Sequence, residues 1–409
     1  MTMTTADPAA LPAHADEASP RYVGWRVVCA CFIIAVFCWG FGLYGHGVYL
    51  AEFQRLHGWP ASLISGAASA YYVLSATLVV FVGDAMARLG PRRVVLIGTC
   101  VLATAVCGLA FVTAPWQLYA AYLILATGAA AMHTGAITTI VGLWFNRQRG
   151  LAISLALNGA SFGGILVTPT LVFAIERFGF RAAMIGAAAI IMVVVVPVVA
   201  LWIDRPAGRG ASVPAQAAPG AAWTRAAALR SWAFWSVAGP FALALMAQIG
   251  FIVHQIAFLE PSMGRTNAGL AVGLMTAMAV VGRVGVGAFI ARLDVRRVTA
   301  FSVLSQAAVL LVMTQTTDVV VLFAGCAIFG LTVGNIITLP AVVIQREFDA
   351  PSFAMLVGLS TAIGQFTCVV GPALLGFLRD LTGGYTAALA LCVVLQITGA
   401  AMILVGPRR

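Results

Sequence analysis

The chain has 409 residues, of which 62% are hydrophobic and 9% charged, and its mean hydropathy is +1.01. Those proportions exclude an ordinary soluble domain, in which about a quarter of residues carry charge. The formal net charge of +10 rests on 23 Arg and no Lys. These Arg fall in short clusters between apolar runs instead of along one soluble face, so no nucleic-acid partner is expected.

In chain order, residues 1–20 are polar and rich in Pro and Ala, and no cleavable signal peptide is apparent. Spanning a bilayer takes roughly 20 apolar residues. Apolar runs of about that length predict helices over Val27–Leu50, Ala61–Val82, Val94–Val112, Trp116–Trp144, Leu151–Ile175 and Ala182–Ile203. Residues 204–231 interrupt the pattern; 16 of these 28 are Ala, Gly or Pro, the composition of a linker. Its last part, Trp223 to Arg230, reads equally as a short amphipathic surface helix or as disordered linker. Six more helices follow at Trp232–Phe258, Ala268–Ile290, Val298–Met313, Val319–Ile344, Phe353–Phe377 and Tyr385–Val405. The expectation is an all-α membrane protein of twelve transmembrane helices in two six-helix halves, residues 27–203 and 232–405. Tails at 1–26 and 406–409 complete it.

Orientation follows from the Arg census. With the N-terminus cytoplasmic, 17 Arg fall on the cytoplasmic side and five opposite, and Arg283 belongs to neither. Both termini are therefore expected in the cytoplasm, and the protein in a bacterial inner membrane. The eight Cys lie in apolar stretches, which supports neither a disulfide framework nor a metal site, and no cofactor is implied. The halves also share a repeat. Gly83-Asp-Ala-Met-Ala-Arg-Leu-Gly-Pro-Arg-Arg-Val94 aligns with Gly287-Ala-Phe-Ile-Ala-Arg-Leu-Asp-Val-Arg-Arg-Val298 at an offset of 204, with seven identities in twelve.

Gly83, Arg88, Gly90, Arg92 and Arg93 resemble the loop signature of the major facilitator superfamily between helices two and three; Gly287, Arg292, Arg296 and Arg297 are its echo. Ala87 stands where the family has an Asp. Within the superfamily the chain is similar to the monocarboxylate-porter and oxalate/formate-exchanger branch. That similarity is carried by Tyr22-Val-Gly-Trp25, Trp144-Phe-Asn-Arg-Gln-Arg-Gly150, the Gly159, Gly163, Gly164 run and Gly282-Arg283. The resemblance implies a major facilitator fold and alternating access.

Arg283 is the most informative residue, because a guanidinium inside a span costs at least ~2.5 to 3.5 kcal/mol and every acidic residue falls at a helix end or in a loop. The missing partner is read as a substrate carboxylate held by the planar fork; the resemblance implies the same role, and the bland alternative is an Arg that snorkels. His133, mid-span in helix four, and His254, in the outer part of helix seven, are each read either as cavity-lining or as packing. Tyr44 and His46, among four glycines, point to an irregular first helix facing the cavity or to close packing. Asn158, Asn335 and Gln365 complete the candidate substrate contacts. Resemblance to the exchanger branch implies a helix-eleven Lys that pairs with the Arg for a dicarboxylate; this chain has no Lys and no charge in helix eleven, which argues against divalent oxalate. Gly159-Ala-Ser161-Phe-Gly163 matches a hydrolase pattern, but inside an apolar helix it lacks the strand-to-helix turn that the chemistry needs, so no enzyme is expected.

These readings point to a monomeric secondary transporter of a small organic anion, a monocarboxylate, with membrane lipid around it. The alternative is an exporter of amphiphilic drugs or metabolites on the same fold. A coupled proton would be carried by His133 or His254, travel with the substrate anion as a neutral pair, or be replaced by anion exchange.

Overall fold

The computed structural model describes residues 17, 19, 22–203 and 223–406. Among them, twelve helices are long and apolar enough to cross a membrane. They are α1 (Gly24–His57), α2 (Ala61–Leu89), α3 (Pro91–Leu109), α4 (Pro115–Trp144), α5 (Arg149–Phe178), α6 (Phe180–Trp202), α7 (Trp232–Met263), α8 (Arg265–Gly287), α9 (Val295–Met313), α10 (Val319–Glu347), α11 (Met355–Thr382) and α12 (Thr386–Val405). Each expected run is there. Most helices outrun the apolar stretch that announced them, because the bilayer constrains side chains while backbone hydrogen bonding carries the helix on into polar residues.

Five tight reversals between helices use glycines in the left-handed region, Gly58, Gly90, Gly179, Gly264 and Gly383, with φ from +65° to +88°. A β-carbon would strain each of them. Gly90 is followed by Pro91 at the first position of α3, where the missing N–H costs nothing. Residues 204–222, most of the expected linker including Arg205 and Arg209, lie outside the described residues, as do Arg21, Arg408 and Arg409. Where the chain resumes, Arg225–Leu229 is a five-residue helix capped by Thr224. The Trp223 ring packs on Phe348 at 5.2 Å.

Four membrane helices are irregular inside, α11 by a single-residue break at Val369. α1 contains a π turn at Gly40–Tyr44 and α5 another at Gly163–Val167, while α4 breaks at 131–133. The two π turns sit against each other: a β-carbon on Gly40 would press on Val167, and one on Gly163 would meet the Val36 carbonyl and the Gly40 nitrogen. Small residues let the two backbones touch, as they do in membrane helix pairs generally. Local widening of this kind recurs at functional positions.

The halves meet unequally along their length. At the end away from the linker, α1 packs on α7, α2 on α11 and α5 on α8. Glycines permit the approach: Gly47 faces the Ile252 carbonyl, Gly376 the Ser65 and Ala61 atoms, and Gly273 packs on Pro169. Polar contacts cross the same seam. Arg265 pairs with Glu52 at 2.8 Å, the Asp380 carboxylate accepts from the first backbone N–H groups of α2 (Ala61, 3.1 Å; Ser62, 2.7 Å), and the Thr266 hydroxyl donates to Glu176. By contrast, the segments Gly24–Trp39, Thr134–Trp144 and Arg149–Leu157 at the linker end pack chiefly within their own half. The molecule is sealed at one end and open at the other.

Glu52 corrects an expectation. It was placed beyond the first span, yet α1 continues to His57, and Glu52 sits inside the helix, 1% exposed, bound to Arg55 (2.9 Å) and Arg265.

Candidate functional site

Arg283 lies near the open end of α8, half-buried, facing the first half. Its position is set by close packing of α8 on α10. Gly282 presses on the Leu331 carbonyl and Gly330 on that of Met275. Gly334 leaves the space that the guanidinium occupies, since a β-carbon there would stand 3.1 Å from Arg283 Nε. Gly330-x-x-x-Gly334 is a small-residue stripe that spacing alone could have flagged.

The guanidinium donates to the Asn158 side-chain oxygen at 3.3 Å, across the gap between the halves. Tyr44, at the end of the α1 π turn and 6% exposed, lies within electrostatic reach of it. Three helices therefore bring Arg283, Asn158 and Tyr44 together. Arg283 Nε is buried and has no hydrogen-bond partner, and no carboxylate among the described residues pairs with this side chain. One guanidinium with donors to spare, in a gap between two bodies, can grip a planar anion in two-point fashion.

The other candidates lie elsewhere. Asn335 is buried next to Gly334, donating to Ser302 (3.5 Å) and the Leu331 carbonyl (3.4 Å), with its own oxygen unpaired. His133 stands at the α4 break, half-buried, its ring 4.4 Å from that of Trp39. Gln365 is exposed on the open-end part of α11, accepting a long bond from the Cys368 thiol. His254 is a correction: it is fully buried in the sealed-end part of α7, and both ring nitrogens are engaged, one by Tyr385 (3.2 Å) and the other by the Pro372 carbonyl (3.0 Å). It ties three helices together and has no capacity left for a substrate.

The repeated basic motif is not symmetric. In the first half Gly83, Arg88, Arg92 and Arg93 are exposed, and Gly90 is half-buried. In the second half Gly287, Arg292 and Arg297 are exposed, but Arg296 is 3% exposed; it makes a two-point pair with Glu347 (2.6 and 2.7 Å) and donates to the Ile403 carbonyl (2.7 Å) and Ser236 (3.1 Å). The two other quoted stretches meet at the open end, where buried Phe145 packs between Tyr22 (5.2 Å) and Trp25 (4.9 Å) and the Tyr22 hydroxyl donates to the Trp144 carbonyl. Ser161 is buried inside α5, far from the exposed turn that a nucleophile needs.

The family model described as Major Facilitator Superfamily matches residues 31–372. The chain belongs to the major facilitator superfamily. Among similar proteins of this transporter, Monocarboxylate transporter 13 of Rattus norvegicus is 25% identical over 96% of this chain and 91% of its own. Monocarboxylate transporter 11 of Mus musculus is 27% identical over 80% and 75%. Of solved structures, a bacterial homologue of the human lysosomal transporter Spinster in an inward-facing and occupied conformation superposes with a TM-score of 0.76 at 15% identity, covering 95% of this chain and 97% of that one. The nucleoside transporter NupG superposes at 0.73 and 15%, covering 93% and 99%. The chain is thus a multi-pass membrane transporter, not an enzyme, and its substrate is a small molecule.

Proposed function

We propose that this transporter carries a small organic anion, a monocarboxylate, by rocking its two halves about Arg283. The observation that carries the reading is a half-buried guanidinium in the gap between the halves whose protein partner is a neutral Asn158 and whose Nε is unpaired. Exposed in the open state and covered when the open end closes, that charge needs an anion to make closure favourable, so the substrate itself supplies the counter-charge. A single fork, with no second cation beside it among the described residues, suits one carboxylate. The 25% to 27% identity to monocarboxylate transporters agrees. The Arg-rich linker end is read as cytoplasmic, which makes this state inward-open; the boundaries 27–203 and 232–405 are read as the two moving bodies.

The test is counterflow exchange of acetate, pyruvate, L-lactate and benzoate in proteoliposomes, with Arg283→Gln alongside. Exchange of at least one acid by the wild type, abolished in the folded variant, is expected. Normal exchange by Arg283→Gln overturns the site. Stabilisation of both proteins by amphiphilic cations, with no acid exchanged, favours the exporter reading.

A further inference from the structure

His46 follows the α1 π turn directly and is fully buried. Four tyrosine rings enclose it: Tyr122 of α4 stacks on it at 5.0 Å, Tyr71 and Tyr72 of α2 stand edge-on at 4.7 and 5.6 Å, and Tyr49 of α1 closes the cage at 6.2 Å. Within this cage the Gly42 carbonyl, one turn back on α1, acts on the His46 ring, but neither ring nitrogen makes a well-formed hydrogen bond, and the hydroxyls of Tyr72 and Tyr122 have no hydrogen-bond partner. Leaving one buried polar group unpaired costs about 1–3 kcal/mol, and here an imidazole nitrogen and two phenol hydroxyls share that state in one cage. A purely structural cage would be built from Phe. Native interiors rarely concentrate unmet polar groups outside functional sites.

The cage also connects to the anion site. Tyr72 is within electrostatic reach of Tyr44, which in turn faces Arg283. No carboxylate or guanidinium acts on His46 directly: the titratable groups facing it are Tyr49 from its own helix, Tyr71 and Tyr72 from α2, and Tyr122 from α4. Glu52, further along α1, is already held by Arg55 and Arg265.

We propose that His46 carries the proton of the transport cycle, and that the phenols of Tyr72 and Tyr44 link it to the anion at Arg283. This rests on the carboxylate reading of Arg283. The imidazole accepts one proton on the side where the substrate is bound, becoming imidazolium, and gives it up as neutral imidazole on the other; only an N–H bond forms and breaks. An imidazolium in an apolar cage is unfavourable alone. Tyrosine hydroxyls, able to donate or accept, orient toward it and toward the anion at once, so proton and carboxylate favour each other's binding equally, as linkage requires.

Two assays on the same proteoliposomes separate the claims. Exchange at equal pH moves no net proton and reads Arg283, whereas accumulation driven by an alkaline interior reads the coupled proton. A one-to-one symporter concentrates its acid up to about tenfold per unit of pH difference, measured above protein-free vesicles. His46→Gln is expected to keep exchange and to lose accumulation, and Tyr72→Phe to weaken accumulation in the same way. Retained accumulation in His46→Gln overturns the proposal while leaving Arg283 untouched. Loss of exchange in both variants assigns the cage a structural role and overturns it as well. If the wild type exchanges none of the four acids, the carboxylate reading fails and the proton assignment falls with it.

Discussion

Glu52→Gln tests whether the buried pair at the sealed end holds the halves together. The carboxylate is 1% exposed and meets Arg265, from the other half, at 2.8 Å and Arg55 at 2.9 Å. Two unit charges about 4 Å apart attract by about 4 kcal/mol at an effective dielectric constant of 20. Arg265 keeps Glu260 at 3.4 Å in the variant, and its side chain is partly solvated, so about half of that attraction is lost from the sealed state. A loss of about 2 kcal/mol shifts the ratio of sealed to unsealed molecules roughly thirtyfold. The assay is double electron–electron resonance in nanodiscs, with spin labels on Cys placed at Thr113 and Thr317, exposed loop positions of the two halves at this end. The background lacks Cys29, Cys100 and Cys107, the native thiols that are not buried. A longer-distance population should grow in Glu52→Gln. Identical distance distributions in folded wild type and variant would refute the argument, leaving the apolar seam to do the sealing.

Gly334→Val puts branched carbon where Arg283 lies, with the β-carbon 2.7 Å from the Ala279 carbonyl and 3.1 Å from Arg283 Nε; exchange should fall at least about tenfold and stability by about 1–3 kcal/mol, and unimpaired exchange would show that the guanidinium need not stay in place. His254→Phe strands the Tyr385 hydroxyl and the Pro372 carbonyl, so thermal unfolding should come several degrees earlier while anion affinity is unchanged; a changed affinity would return His254 to the substrate path.

Helix number and order were legible because a bilayer demands long apolar runs, and Arg clusters punctuate them. Arg283 was legible because its charge contradicts its surroundings, and Asn158 because an amide inside an apolar run needs a reason. Gly334 was missed: a glycine acts by the space it leaves, which is visible only once the neighbour filling that space is known. His254 was overvalued because its partners, Pro372 and Tyr385, lie 118 and 131 residues away along the chain. Glu52 was misplaced because hydropathy marks where apolar character ends, not where the helix does.

The unequal fates of Arg92 and Arg296 give the two halves different mechanical characters. Arg296 stitches α7, α9, α10 and α12 together at the open end through Ser236, Glu347 and Ile403, so the second half is clasped there as one stiff body. Its counterpart Arg92 stays in solvent, and at that end the first half is tied instead by Glu17, which accepts from the Asn146 and Gln148 backbone N–H groups, and by Tyr22 on the Trp144 carbonyl. A duplicated sequence has thus yielded an anvil and a hammer. Under the rocking proposed above, exchanging the two halves in an engineered chimera would relocate the stiff partner, and with it the side from which the passage closes.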